Sequence, residues 1–375
     1  IARNTVRQAL RSQGPPKYER QAKGSMVDAV EPEICELLRQ FPKMPATVIA
    51  ERVGWQHSIR VLRDRVGELR PAYLPADPCQ RSEYLPGELA QWDMWFPAVD
   101  IPVGQGQALR FPVLVGVSGY SRFMVARMIP SREAHDILGG HLACLLELGA
   151  VPKCGVYDNE AALVTRHGGR PRPTQAFDAF RGLLGMGVVI CRPGDPEAKG
   201  LVERANGYLE TSFLPGRRFA NPADFNAQLA AWLGRANQRV HRVLRIRPSE
   251  RIDDDRAAMM GLPPVLPEPA LGFSVRLGRD HYVRVGTCDY SVHPSAIGRR
   301  VEVRVDTEAV VATCAGTEVA RHERSWAKYR VLTDPDHERA RVVMRAFAAA
   351  VADVEEQHQV QVRDLAVYDR ATGVA

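Results

Sequence analysis

The sequence predicts a multidomain α/β protein: helix-turn-helix units first, then a mixed-sheet core, a small C-terminal β-barrel and a helical tail. Three observations lead there. The chain has 375 residues, more than one ordinary domain takes. Prolines cluster at Pro71, Pro75, Pro78 and Pro86 and again at Pro263, Pro264, Pro267 and Pro269. Across those divisions the apolar period changes from helical spacing to alternating strand and helix, and then to short strands.

Residues 1–24 carry six Lys or Arg against one acid, Glu19. Arg3, Arg7 and Arg11 recur every four residues while Val6 and Leu10 share another face, so a short amphipathic helix is expected. It reads as the end of a first helix-turn-helix followed by a basic linker. Residues 25–70 read as a second, complete one, with helices over 31–40, 45–51 and 58–69. Ile34, Leu37, Leu38, Val48, Ile49, Ile59, Leu62 and Val66 would point inward, and Gly54 would supply the tight bend. Arg60 and Arg63 fall off the apolar stripe and could meet a duplex. Residues 71–87 form a semi-rigid linker.

Residues 88–255 form the core. Strands are expected near 89–97, 110–118, 121–129, 152–158 and 187–191. Helices are expected near 132–148, 174–184, 196–212 and 222–240. This order argues for a mixed sheet with helices on its faces. A linker over 256–271 leads to 272–330, where Tyr282–Val285, Tyr290–Val292, Val301–Val305 and Val310–Val311 are short alternating runs separated by Gly286, Gly298 and Gly316. That pattern fits a small β-barrel. Residues 331–375 hold one helix, near 337–358, and an extended or partly disordered tail.

The net charge of +6 and pI of about 9.0 favour a polyanionic partner. Seven scattered cysteines without a C-x-x-C argue against a disulfide framework or a zinc knuckle. His141 and Cys144 have ligand-like spacing but sit on an apolar helix, where core packing is expected. No apolar run reaches membrane-spanning length and no signal peptide is visible, so a cytoplasmic, membrane-free protein is expected.

Three acids carry the chemistry. Asp93 sits in an apolar strand pattern between Trp92 and Met94, where an uncompensated charge costs free energy. Asp158 ends a second apolar run, and Glu203 lies on a helix. Two strand-borne aspartates and a helix-borne glutamate can converge on a pair of hard divalent cations, the usual machinery for phosphoryl transfer. Lys199, Glu203 and Asn206 cluster near one helix face. Lys199 or Arg204 could touch a phosphate. Glu160, Asp100 and Asp195 are weaker ligand candidates, assigned to another strand face, a position beyond the strand and a turn.

Trp92-Asp93, Tyr157-Asp158-Asn159 and Lys199-Gly-Leu-Val-Glu203-Arg-Ala-Asn206 resemble the three acidic motifs of the DDE transposase and retroviral integrase superfamily. The whole layout resembles the IstA-type transposases of bacterial insertion sequences, and Asn237-Gln-Arg-Val-His241 with Pro248-Ser-Glu250 resembles the end of such a core. The resemblance implies a ribonuclease-H-like catalytic core using two Mg²⁺ ions, with Mn²⁺ as a substitute, held by Asp93, Asp158 and Glu203. It implies binding to an element's terminal inverted repeats, cutting to free 3′-hydroxyls, and joining them to target DNA. It also implies a homo-multimer, at least a dimer, and an AAA+ ATPase helper of the IstB type, in a bacterial, nucleoid-associated setting. The spacing from Asp158 to Glu203 is wider than in retroviral integrases, and their His/Cys zinc motif is missing.

DNA contacts are expected elsewhere too. Arg235, Arg239, Arg242 and Arg245 lie in a segment, 235–247, that holds no acid; the first three would stripe a helix. Arginine forks suit phosphate oxygens, which position a duplex rather than read it. Asn4, Arg7, Arg11, Arg60 and Arg63 are the candidates on the helix-turn-helix units. Two other readings stay open at this level. One is a non-catalytic DNA-binding regulator, which leaves Asp93 unexplained. The other is a nuclease with the same core.

Overall fold

The computed structural model describes residues 2–11, 24–74, 83–167, 170–191, 199–357 and 364–373. The chain divides into two compact units, Ile1–Ser82 and Glu83–Ala375.

The first unit holds α1 (Arg3–Arg11), α2 (Glu31–Gln40), α3 (Ala46–Arg52) and α4 (Ile59–Leu69). Ile34 and Leu38, four apart on α2, meet Ile49 of α3 and Leu62 and Val66 of α4 in a small dry core with Val27. Gly54 carries the bend after α3 at φ 65°, a left-handed conformation open to glycine at no steric cost. The Arg70 guanidinium donates to the carbonyls of Pro42 (2.6 Å) and Met44 (2.7 Å), fastening the end of α4 to the α2–α3 connection. One expectation fails here. Ile59 opens α4 and is exposed rather than inward. α1 is the short helix expected there, with Val6 and Leu10 exposed.

The second unit begins with β1 (Leu89–Trp95), the hairpin β2 (Ile101–Gly104) and β3 (Gln107–Leu109), β4 (Val113–Ser118), β5 (Met124–Met128) and α5 (Ala134–Leu148). Next come β6 (Cys154–Tyr157), the hairpin β7 (Val164–His167) and β8 (Arg170–Pro173), α6 (Gln175–Leu184), β9 (Gly187–Ile190), α7 (Gly200–Tyr208), α8 (Pro222–Asn237) and α9 (Pro248–Ala258). The central sheet has the order β5-β4-β1-β6-β9. Only β4 runs against the rest; β1, β6 and β9 are parallel neighbours. This is the expected mixed sheet. The β7–β8 hairpin was not expected, because Pro171 and Pro173 argue against a strand, and the pair stands apart from the main sheet where a missing N–H costs little.

The two faces of the sheet have separate cores. Trp92, Leu114 and Val125 pack under α5 and α6. Trp95, Val113, Val115 and Val117 pack under α7 and α8. Glycine is required at one crossing point: Gly116 lies opposite Trp92 in the β1–β4 register, and a Cβ there would sit 2.3 Å from the indole. The free edge of β5 is not left bare. Asn226 and Asn237 of α8 each present an amide to it, Asn226 pairing with the backbone N–H (2.8 Å) and C=O (3.1 Å) of Met128, and Asn237 with those of Met124 (both 2.9 Å). At the start of β1, the buried Asp255 of α9 accepts from the Gly87 N–H (2.6 Å), the Ser121 N–H (3.2 Å) and the Ser118 hydroxyl.

The C-terminal strands are β10 (Leu271–Arg276), β11 (Tyr282–Val285), β12 (Cys288–Ser291), β13 (Arg300–Val305), β14 (Ala309–Cys314), β15 (Thr317–Glu323) and β16 (Val331–Leu332). They form two sheets, β10-β13-β14-β15 and β11-β12-β16, around one apolar core, rather than one continuous hydrogen-bonded ladder. The buried Asp136 of α5 accepts from the Arg324 guanidinium after β15, joining this module to the central sheet's helices, and Phe111 meets Trp326 at 4.9 Å. The chain ends with α10 (Pro335–Gln357) and α11 (Leu365–Thr372). Part of the tail expected to be extended is therefore a helix, with the Asp364 side chain capping the Ala366 N–H.

Candidate active site

The site grows from one strand. Side chains at alternate positions of β1 share a face, so Gln91, Asp93 and Trp95 all point toward α7 and α8. Each meets α7 or its continuation. The Gln91 amide oxygen is buried and accepts from the N–H groups of Leu201 (3.0 Å) and Val202 (3.3 Å). These are first-turn donors with no partner inside the helix, so Gln91 serves as an external cap. Trp95 donates its indole N–H to Glu210 at 2.9 Å, on the π-helical segment Leu209–Phe213 that continues α7.

Asp93 lies between these two anchors. Its Oδ2 accepts from Asn206 Nδ2 at 2.9 Å, and its Oδ1 from the Lys199 ammonium at 2.6 Å. Lys199 and Asn206 are seven apart, two helical turns, so one helix face presents both to one strand position. The same ammonium lies 2.8 Å from Asp158 Oδ2. Asp158 follows β6 directly, and continuing the β1–β6 register from Gln91↔Val156 sets it level with Asp93. The two aspartates thus meet at the carboxyl ends of adjacent parallel strands, where open α/β sheets place their ligand sites.

Lys199 is only 4% exposed. Burial by itself lowers an ammonium pKa; the hydrogen bonds to Asp158 and Asp93 outweigh it, and the Lys199 pKa is raised. Lys199 is therefore a fixed positive charge. Its expected role at a phosphate is not its position here, since both nearest acceptors are carboxylates.

Glu203 stands on the first turn of α7 with an exposed side chain. Among the described residues no three His, Cys, Asp or Glu side chains gather into a metal-holding group. The Lys199 ammonium thus unites Asp93 and Asp158, and Glu203 joins them in no such group. The pair still suits a hard divalent ion. Two carboxylates from different strands aim at one point where the ammonium stands in for a cation, and hard cations select oxygen donors. Asn206, which donates to Asp93, keeps its own Oδ1 buried and without a hydrogen bond, as does Asn159, the residue after Asp158. Of the weaker candidates, Glu160 pairs with Arg132 (2.8 Å) and Asp100 with Arg110 (2.9 Å); Asp195 lies outside the described residues.

The DNA candidates are spread more widely. Arg60 and Arg63 are exposed on α4, and Asn4, Arg7 and Arg11 are exposed on α1. The expected stripe of Arg235, Arg239 and Arg242 does not form, because α8 ends at Asn237. The Asn237 side chain bonds inward to Met124, and the chain beyond it leaves the helix and turns, with Arg245 at φ 59°. Arg235 is on the helix; Arg239, Arg242 and Arg245 are exposed beyond it, Arg239 donating to the Tyr208 hydroxyl at 2.8 Å. Gln91, Trp95 and Glu210 were missed in the sequence. A glutamine two places before Asp93 in an apolar strand is the one sign that could have flagged the first.

A family model for the Mu transposase C-terminal domain matches residues 262–334, the two-sheet module. Over 257 residues, 67% of this chain, the sequence is 27% identical to a putative transposase for insertion sequence element IS5376 from Geobacillus stearothermophilus. Over 305 residues, 78% of the chain, it is 29% identical to a transposase for insertion sequence element IS21-like from Bacteroides fragilis. This chain is similar in sequence to insertion-sequence transposases. The aligned part spans 64% and 55% of those two proteins' own lengths. Among solved structures, the match to a simian T-cell lymphotropic virus intasome chain covers 80% of this chain and 99% of the viral chain, at 16% identity and a TM-score of 0.38. No helix among the described residues is long and apolar enough to cross a membrane.

Proposed function

We propose that this chain is a DDE-type DNA transposase, which cuts the ends of a mobile element to free 3′-hydroxyls and joins them to target DNA. The single observation that carries this reading is the convergence of Asp93 and Asp158 on one cation at the carboxyl ends of β1 and β6. In this reading the core is ribonuclease-H-like, and Asp93 and Asp158 hold divalent cations, Mg²⁺ in the first instance, with Glu203 completing the set. Bound there, two such ions would activate the attacking oxygen and stabilise the leaving one. The chain's own residues supply the positioning. Asn206 orients Asp93, Gln91 fixes the start of α7 against β1, and the Trp95–Glu210 bond fixes its far end.

The DNA would be held by arginines at phosphates and by the three-helix unit acting as a helix-turn-helix, with Arg60 and Arg63 facing the duplex, Asn4, Arg7 and Arg11 on α1 adding contacts, and Arg235, Arg239, Arg242 and Arg245 lining the core's share. Pairing two element ends requires at least a dimer, and an AAA+ ATPase of the IstB type is the proposed helper.

A strand-transfer assay tests the reading, with an oligonucleotide bearing an element end, a target duplex and Mg²⁺. Wild type should give joined product, and Asp158→Asn should lower it by about a thousandfold or more while the protein stays folded. Cutting without joining would make the chain a nuclease. DNA binding without either would make it a regulator.

A further inference from the structure

Lys199 is an unusual occupant for a carboxylate pair. A surface lysine that merely neutralises acids stays hydrated, because ammonium groups hold water strongly. Here the side chain is 4% exposed, while Asp158, one of its two partners, is 63% exposed. The ammonium is the buried member of the group and fills the gap between the two acids. Its oxygen distances of 2.6 and 2.8 Å put the nitrogen where both carboxylates can be met at once. A divalent ion such as Mg²⁺ binds oxygens at about 2.0–2.1 Å and would occupy the same gap. Both cations cannot be there together, since like charges so close repel strongly. Glu203 sits one turn along α7 from Lys199, and its side chain is still free of the pair.

We propose that Lys199 is a built-in competitor for the cation site. In the metal-free protein its ammonium holds Asp93 and Asp158 together in place of a divalent ion. Cation entry displaces it, and its release accompanies the approach of Glu203 to the pair. Lys199 is thus a positioning residue whose two states explain two otherwise conflicting readings. Seated, it prevents the aspartates from repelling one another; displaced, it is a positive charge at the mouth of the site, available to a DNA phosphate. The inference rests on the cation-binding role proposed for Asp93 and Asp158 and adds what fills that role before the ion arrives.

Competition of this kind is reciprocal, so removing the lysine must help the ion. The test measures Mn²⁺ binding to wild type, Lys199→Met and Asp158→Asn by calorimetry, without DNA. Lys199→Met should bind Mn²⁺ about tenfold tighter than wild type. It should melt at a lower temperature in chelator and gain more from added Mn²⁺. Equal or weaker binding by Lys199→Met overturns the proposal, even if Asp158→Asn abolishes binding and so upholds the cation site itself. If Asp158→Asn binds Mn²⁺ as well as wild type does, the cation-site reading fails and the competitor falls with it. A second readout needs no variant. In wild type, labelling of Lys199 by an amine-reactive reagent, followed by mass spectrometry, should be slow in chelator and severalfold faster with Mn²⁺. An unchanged rate would mean that the ammonium does not leave.

Discussion

The two faces of β1 solve opposite problems with neighbouring residues. On one, Gln91, Asp93 and Trp95 each commit their polar atoms to α7 or its continuation. On the other, Trp92 is buried against His141 at 4.4 Å, with Tyr157 behind it at 5.3 Å from the imidazole. There the Trp92 indole N–H, both His141 nitrogens and the Tyr157 hydroxyl take no hydrogen bond. The aromatic face gains from area and dispersion and tolerates unpaired polar atoms. The polar face gains little net energy from its hydrogen bonds but fixes a helix in register with a strand. Apolar anchoring and the candidate site thus lie on opposite sides of the same backbone. Trp92 anchors β1 in the core, and Asp93 follows one residue on, on the opposite face.

That division is most vulnerable from the aromatic side. Trp92→Ala should cost about 3–5 kcal/mol of stability, through lost burial and the cavity left behind. Urea unfolding measures it, and a loss under about 1 kcal/mol would show that the aromatic face does not anchor the strand.

Acid should act on the same side next. Burial pushes the His141 pKa down from 6.5 to about 3. The unfolded chain therefore binds a proton here, between those two values, that the folded chain refuses. Stability present above pH 6.5 is lost as pH falls through that window, by about 1.4 kcal/mol per pH unit at most, or about 2 kcal/mol at pH 5. His135, His241, His281 and His337 are also lowered by burial, so the contribution of His141 is the difference between wild type and His141→Leu. Unfolding at pH 7 and pH 5 should show a shallower acid loss in the variant; parallel curves would place the acid sensitivity elsewhere.

The smallest effect on stability should come from the polar face. Gln91→Ala removes the acceptor for two helix-start N–H groups and should cost about 1 kcal/mol. Its effect on strand joining should be larger in proportion, roughly tenfold, because α7 loses its register with Asp93. Equal fractional effects in Gln91→Ala and Trp92→Ala would erase the division of labour between the faces.

Much of the fold was legible in the residues. The five main strands and the helices α2–α8 fall within a few residues of their expected places, because apolar periods of two and of about three and a half were clean there. Misses followed a pattern. The β7–β8 hairpin hid behind its prolines, the terminal helix α11 behind a weak period, and the end of α8 behind an arginine run that looked helical. Of the candidate site, Asp93 stood out by its apolar neighbours and Asp158 by its place at the end of a strand, and the two share one ammonium. Gln91 left only its place in an apolar strand as a sign, because the partner of a capping glutamine is not known until its helix is placed.

Residue order alone settled the sheet, its apolar faces and the two strand ends that carry acids, since side-chain alternation and burial are local consequences of that order. Only the packed chain decided which charge meets which. Lys199 lies more than a hundred residues from Asp93 and about forty from Asp158. No local rule says that a buried ammonium, rather than Glu203, will face them. That choice belongs to the packing of α7 against β1, where Gln91 bonds to one end of the helix and Trp95 to its continuation at the other.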